Sequence, residues 1–226
     1  MQTPALIIFD CDGVLVDSER ISHIVLQDML AERGVRISFE EAVAKFMGTS
    51  MQRCLELVEA MTRVPPEEFL PHFRARTYEA FAAHLKPVAG VPSLLATLTT
   101  PFCVASNGPR EKMTLTLGCT GLIGHFVDKM FSADDVTNPK PAPDLFLHAA
   151  AQMSANPAAC VVVEDSPTGV RAARAAGMHV LGYAGMTPAQ RLLDAGAASV
   201  FDSMDALPSL LGLGRDDARP LAAVGR

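Results

Sequence analysis

Four short stretches hold the residue types from which a reaction centre could be built. Asp10 and Asp12 stand one residue apart at the end of the apolar run Leu6-Ile7-Ile8-Phe9, with Gly13 behind them. Ser106-Asn107-Gly108 follows a second apolar run, Phe102–Ala105. Lys140 lies between two prolines in Asn138-Pro139-Lys140-Pro141, and Glu164-Asp165-Ser166 follows the β-branched run Cys160–Val163. Carboxylates that converge repel one another and call for a cation, and ligation by oxygen alone suits Mg²⁺. A lysine beside that cation, with a serine hydroxyl and backbone N–H donors, makes a site for a dianionic oxygen cluster, most simply a phosphoryl group. A carboxylate held close to phosphorus can attack it and form an aspartyl phosphate. Metal and lysine then neutralise charge, the main contribution in phosphoryl transfer. A second aspartate nearby can protonate the leaving oxygen and later take a proton from the attacking water.

To meet, these stretches must be carried to one edge of one sheet. Each follows a predicted strand: 5–10, 102–105, 129–132 (which precedes the lysine loop) and 160–163. Further strands are expected over 180–183 and 199–201. Helices alternate with them over 92–98, 110–117, 143–153, 167–176, 188–195 and about 204–211. Alternation of this kind predicts an α/β fold with a parallel sheet, whose ligands lie at the carboxyl ends of the strands. Between the first two strands the pattern is helical throughout. Ile21, Val25, Leu26, Met29 and Leu30 fall at helical spacings after Ser18, a candidate cap, and Gly34 ends the helix. Ser38-Phe39-Glu40-Glu41 reads as a capping box, opening a helix that closes near Gly48. Ser50 caps a third helix bearing Cys54, Leu55, Val58 and Met61. Pro65-Pro66-Glu67-Glu68 opens a fourth that runs to about Leu85, with Pro71 expected to delay its start. The predicted organisation is a core from 1–17 and 87–212, a helical domain over 18–86, and a flexible tail over 213–226.

Composition narrows the partners. The chain has 226 residues, is 49% hydrophobic, and carries a net charge of −6 with a pI near 5.5. No basic stripe is present, so nucleic acid is not expected as a partner. The first apolar run is cut short at Asp10 and lacks a charged leader, unlike a signal peptide. No apolar stretch approaches the roughly 20 residues that span a bilayer, so no membrane association is expected. The five cysteines are odd in number and scattered, which suggests free core thiols in a reducing, cytoplasmic setting. A monomer or weak homodimer is expected.

Singly, each stretch reads as a turn, a cap or a loop lysine. In order, at successive strand ends, they carry a specific resemblance. Asp10-Cys11-Asp12-Gly13-Val14-Leu15-Val16-Asp17-Ser18 resembles the first motif of the haloacid dehalogenase (HAD) superfamily of phosphohydrolases. Ser106-Asn107 resembles the second, Lys140 in Lys-Pro-Ala-Pro-Asp the third, and Glu164-Asp165-Ser166-Pro167-Thr168-Gly169 the fourth. The helical block directly after the first motif is similar to the helical-cap branch. The resemblance implies a Rossmann-like core with a four-helix cap. It also implies Asp10 as nucleophile, Asp12 as general acid/base, and Ser106, Asn107 and Lys140 as holders of the phosphoryl group. Mg²⁺ would lie on Asp10, the Asp12 carbonyl, Asp165 and Glu164. Two connections, near Val16–Ser18 and Lys86–Gly90, would let the cap close over the substrate.

Within the superfamily, Asp12 and the Glu164-Asp165 pair argue against the dehalogenase branch. β-Phosphoglucomutases resemble the core, but their pattern has a histidine where this chain has Ser22 and an arginine where it has Met51. A phosphatase therefore fits better than a mutase. Val104–Pro109 with Lys112-Met113, and Asp128–Ser132, resemble bacterial sugar-phosphate phosphatases, the 6-phosphogluconate phosphatase subgroup above all. The implied function is Mg²⁺-dependent hydrolysis of a small sugar or sugar-acid phosphate, the small-molecule phosphate ester being the sole expected partner. Alternatives are a phosphomutase, a phosphoglycolate phosphatase, or a phosphate-binding regulatory module. Against the last, a module without turnover has no need of Asp12. Substrate choice is expected to rest on Gly48, Thr49, Ser50 and Arg53 in the cap and Arg110 in the core, with Arg20, His23, Lys45 and Lys112 as further candidates.

Overall fold

The computed structural model describes residues 3–47, 49 and 51–213. Its centre is β1 (Leu6–Phe9), buried along its whole length. Four consecutive apolar residues have no face to offer to water, and a parallel strand covered on both sides is where they fit. Six parallel strands form one sheet in the order β3 (Met130–Ser132), β2 (Phe102–Ser106), β1, β4 (Cys160–Glu164), β5 (His179–Tyr183), β6 (Ser199–Phe201). The chain moves outward from β1 to β3, then returns to the other side of β1 at β4. In this doubly wound, Rossmann-type arrangement the reversal opens a crevice beyond the carboxyl ends of β1 and β4.

Both faces of the sheet are covered. Ile7 and Phe9 join Val104, Val163 and Leu181 against Met113 and Leu117 of α6 (Arg110–Cys119) and against α10 (Leu207–Leu210). Leu6 and Ile8 join Ala105, Val162 and Val180 on the opposite face. There they meet α7 (Asp144–Gln152), α8 (Pro167–Ala175) and α9 (Ala189–Asp194). Each fully buried aliphatic or aromatic side chain contributes about 1.5–3 kcal/mol. α5 (Val91–Thr97) leads into β2.

Two strands run one residue further than their apolar runs suggest. Ser106 pairs with Ser132 and Glu164 with Gly182, so both polar residues are still held in the ladder. Short 3₁₀ turns that have too few residues for a periodic signal occur at Ile123–His125, Ala133–Asp135, Pro157–Ala159 and Met204–Ala206.

Between β1 and α5 lie α1 (Ser18–Ala31), α2 (Phe39–Phe46), α3 (Met51–Thr62) and α4 (Pro66–His84). They share an apolar cluster of their own, including Val25, Met29, Leu30, Phe46, Val58, Phe69 and Phe73. The capping box of Ser38 and Glu41 is formed in both directions. Pro71 does not delay α4, which starts at Pro66 and runs through it. The carbonyl deprived of its partner is that of Glu67, an exposed residue that water can serve. Ser18 does not cap α1: Asp17 is the N-cap residue, and the Ser18 hydroxyl is turned towards Asp12. Entry to and exit from these helices lie side by side. Val16 bridges Pro87 antiparallel, the Asp17 N–H donates to the Lys86 carbonyl (3.0 Å), and the Val88 N–H to the Leu15 carbonyl (3.0 Å). The expected tail lies almost wholly outside the described residues.

All five cysteines are free; Cys11, Cys103 and Cys160 are buried, Cys54 is partly so, and Cys119 is exposed, unlike the core thiol expected there. No helix among the described residues is long and apolar enough to cross a membrane.

Candidate active site

The crevice between β1 and β4 gathers the acids. The Asp10 N–H donates to the Val163 carbonyl (2.9 Å), so Asp10 leaves β1 beside Glu164, the last residue of β4. Ligand oxygens of Asp10, Glu164 and Asp165 lie within 4.8 Å of one another, and all three residues are buried. Two glycines make this approach possible. Gly13 has φ +77°, and a Cβ there would collide with the Asp165 carboxylate. A Cβ on Gly169 would collide with Glu164. Ser166 caps α8 by accepting from the Gly169 N–H (3.0 Å), while its own N–H and hydroxyl donate to Glu164 Oε2 (2.9 Å each).

Lys140 enters from the loop after β3. Its ammonium donates to Asp10 Oδ1 (2.8 Å), Glu164 Oε1 (2.7 Å) and the Ala105 carbonyl (2.9 Å). A lysine has three N–H donors, and all are in use, so contact with a ligand would require sharing or exchange. Burial alone would lower its pKa, but the charges of Asp10 and Glu164 outweigh burial and hold it above the ordinary lysine range. The backbone of Lys140 is gripped by Asn107, whose amide group both donates to the Lys140 carbonyl and accepts from the Lys140 N–H (2.9 Å each). The Asn107 oxygen and one of its two amide hydrogens are thus committed to the lysine loop, and the second amide hydrogen is left over. Ser106 is buried at the end of β2, and its oxygen accepts from the Gly108 N–H (3.1 Å), which leaves its own hydrogen to donate.

Lys140 compensates only part of the negative charge. Burial, then the neighbouring Glu164 and Asp12, raise Asp10 from 3.8 to about 7 against the pull of Lys140. Burial and the charges of Glu164 and Asp10 push Asp165 well above the carboxylate range. Asp165 accepts no hydrogen bond among the described residues, and Asp10 keeps one oxygen unbonded. Under-compensated carboxylate oxygens converging on one point are a donor set that fits a hard divalent cation.

Asp12 sits apart, in the turn. Ser18 donates to its Oδ1 (2.6 Å) and Lys112 to its Oδ2 (2.8 Å). Burial would raise its pKa, but Lys112 and the hydrogen bonds from Lys112 and Ser18 keep it below the ordinary value. The involvement of Lys112 as a partner of Asp12, and of Ser18 as its donor, was not evident from spacing.

Of the described specificity candidates, Lys112 meets Asp12, whereas Arg110, Arg53 and Thr49 have partners elsewhere. Arg110 forms two hydrogen bonds to Asp135 (2.7 and 2.8 Å) and one to the Met130 carbonyl (2.8 Å), while its N–H donates to Asp134 (3.0 Å). It is a brace between α6 and the end of β3. Arg53 lies on an exposed stretch of α3 and bonds Glu56 (2.9 Å), and the Thr49 hydroxyl donates to the Phe46 carbonyl (2.7 Å). Gly48 and Ser50 lie outside the described residues. Arg20 stands over the Phe39 ring, and His23 is buried with Nδ1 against the Glu19 carbonyl (2.8 Å).

The sequence model of haloacid dehalogenase-like hydrolases matches residues 7–183, a span that contains every one of these acids. The protein belongs to this family. A 6-phosphogluconate phosphatase of Escherichia coli K12 is 34% identical over 206 residues, 90% of this HAD-like hydrolase and 93% of the relative. A HAD-like protein of unknown function from Agrobacterium tumefaciens has 40% identity and a TM-score of 0.85, covering 92% of this chain and 97% of its own. A HAD family hydrolase from Deinococcus radiodurans, solved with bound phosphate and sodium, has 33% identity and a TM-score of 0.81, covering 94% and 98%.

Proposed function

We propose that this HAD-like hydrolase is a Mg²⁺-dependent phosphatase of small sugar or sugar-acid phosphates, with 6-phosphogluconate a leading candidate. The observation that carries this reading is the buried cluster of Asp10, Glu164 and Asp165 around Lys140, with acidic oxygens left over after the lysine is satisfied. The relatedness to a 6-phosphogluconate phosphatase supports the substrate class, and the phosphate held by the Deinococcus homologue supports the ligand chemistry.

In this reading Asp10 attacks the phosphorus of the ester and becomes an aspartyl phosphate. The P–O bond to the sugar breaks, and Asp12 passes to the departing oxygen a proton that Oδ1 has taken from solvent, the Ser18 hydroxyl turning from donor to acceptor while Lys112 stays on Oδ2. Water then attacks the aspartyl phosphate, Asp12 takes its proton, and inorganic phosphate leaves with Asp10 restored. Lys140 orders Asp10 and Glu164, and the Ser106 hydroxyl is the donor for a phosphoryl oxygen. Mg²⁺ would be held by Asp10, Asp165, Glu164 and the Asp12 carbonyl, and supplies charge neutralisation when bound. Residues 18–86 act as the cap over a core of 1–17 and 87–212.

The test is release of inorganic phosphate from a panel of sugar phosphates, sugar-acid phosphates, phosphoglycolate and nucleotides, with Asp10→Asn as control. Release from sugar-type esters by the wild type and none by the variant is expected. Isomerised sugar phosphate without free phosphate would make the enzyme a mutase, and equal release by Asp10→Asn would remove the nucleophile.

A further inference from the structure

We propose that Lys112 is a positioning residue for Asp12: it fixes the orientation in which Asp12 exchanges protons and does not itself hold the substrate. This rests on the function proposed above. Asp12 is tied by one oxygen to Ser18, at the start of α1, and by the other to Lys112, in the first turn of α6. With both oxygens held, rotation about the side-chain bonds of Asp12 is closed off.

The pair is not a loose surface contact. The Lys112 and Asp12 side chains are only 23% and 15% exposed, whereas exposed ion pairs slide and contribute little. The lysine is confined along its length. A Cβ on Gly108 would lie 3.5 Å from Lys112 Cδ, 3.5 Å from Ser106 Oγ and 3.6 Å from Asp12 Oδ2, so the turn after β2 packs against stem, hydroxyl and carboxylate together. On the other side the ammonium lies 5.9 Å from the centre of the Phe81 ring, at the end of α4. Lys112 is therefore wedged between the β2 turn and the helical segment, and its free end is spent on Asp12. Removing it leaves Asp12 with the Ser18 bond alone, free to swing about that contact. Misplacing a reacting group by about 1 Å can cost on the order of a hundredfold in rate.

The test compares leaving groups in the Mg²⁺-loaded full chain. A sugar phosphate needs a proton on its departing oxygen, whereas acetyl phosphate departs as a carboxylate and needs none. We expect Lys112→Met to slow single-turnover phosphorylation by the sugar phosphate about 10- to 100-fold, a partial loss that reaches only the lower end of what general acid catalysis contributes. KM should stay within about threefold, and phosphorylation by acetyl phosphate should fall by less than about threefold, because neither depends on a placed proton donor. Lys112→Arg should restore much of the loss, and Lys112→Met should add nothing in an Asp12→Ala background. Equal losses with both phosphates, a raised KM with unchanged kcat, or a further loss beyond Asp12→Ala would each overturn the proposal, the last two in favour of direct substrate contact. If Lys112→Met fails to fold, Lys112→Gln keeps most of the stem and carries the same comparison. Wild-type rates in Asp12→Ala would instead sink the proposed role of Asp12, and this inference with it. An impaired Asp12→Ala with an unimpaired Lys112→Met would sink the inference alone.

Discussion

Asn107 and Lys140 hold each other through a reciprocal pair of hydrogen bonds. The Asn107 amide donates to the Lys140 carbonyl and accepts from the Lys140 N–H, at 2.9 Å each. The pair fastens the lysine loop to the end of β2 and so sets where the ammonium meets Asp10. Asn107→Ala leaves two partly buried backbone groups without that partner. We expect a loss of about 1–3 kcal/mol in urea unfolding, together with a kcat lowered by roughly tenfold as Lys140 loosens. Wild-type stability and kcat in this variant would show that the loop is held by other means.

A second expectation concerns Gly13. An alanine there must adopt a left-handed conformation, costing about 1–2 kcal/mol, and its methyl group would occupy the space of the Asp165 carboxylate. Gly13→Ala should therefore lose stability and most of its activity together. The check is calorimetry alongside phosphate release. Full activity in a well-folded variant would mean that Asp165 has room to retreat.

Stability should depend on pH in a definite direction. Asp10 is raised from 3.8 to about 7 in the folded protein, and Asp165 is raised as well, both chiefly by burial. Between these limits the folded state binds more protons than the unfolded state, so these groups make stability fall as pH rises through that window. In metal-free protein, the contribution of this cluster to the urea midpoint is expected to be smaller at pH 8 than at pH 5. Asp10→Asn should flatten the dependence. A slope that is no flatter in Asp10→Asn would show that Asp10 ionises without penalty.

Metal should reverse that loss. A divalent cation competes with protons for the same oxygens, so added Mg²⁺ should raise the midpoint more at pH 8 than at pH 5. At a hundredfold excess over Kd the stabilisation is about 2.7 kcal/mol. Phosphate release should stop on chelation and return with Mg²⁺; activity that survives EDTA would contradict the proposed metal dependence.

The parts of this molecule that sequence made legible are those governed by local chemistry. An apolar run cut short at Asp10 reads as a covered strand, and β-branched Cys160–Val163 likewise, and their alternation with helical segments made the sheet and its acidic edge legible. The four helices of residues 18–84 follow from periodicity and from the capping box at Ser38. What escaped is tertiary pairing. Arg110 has the look of a substrate arm until Asp134 and Asp135, over twenty positions on, are seen to claim it. Asn107 turns to a backbone 33 positions away, and Lys112 to a carboxylate 100 positions back. Ser18 carries the chemistry of a cap, yet its hydroxyl meets a stronger acceptor in Asp12. The first three of these choices are set by the sheet order, the last by the fold of the turn after β1.

The antiparallel bridge between Val16 and Pro87 gives the chain a modular character. The helices leave the sheet and rejoin it at neighbouring points already tied by backbone hydrogen bonds. For the sheet, everything between those points is one closed loop, and the entropy of closing a loop grows only slowly with its length. A different insert, longer or shorter, could be spliced between these two residues while β1 and its aspartates keep their places. Inheritance can thus rewrite the helical insert over an unchanged sheet edge, and so can a protein engineer who cuts at the same two residues.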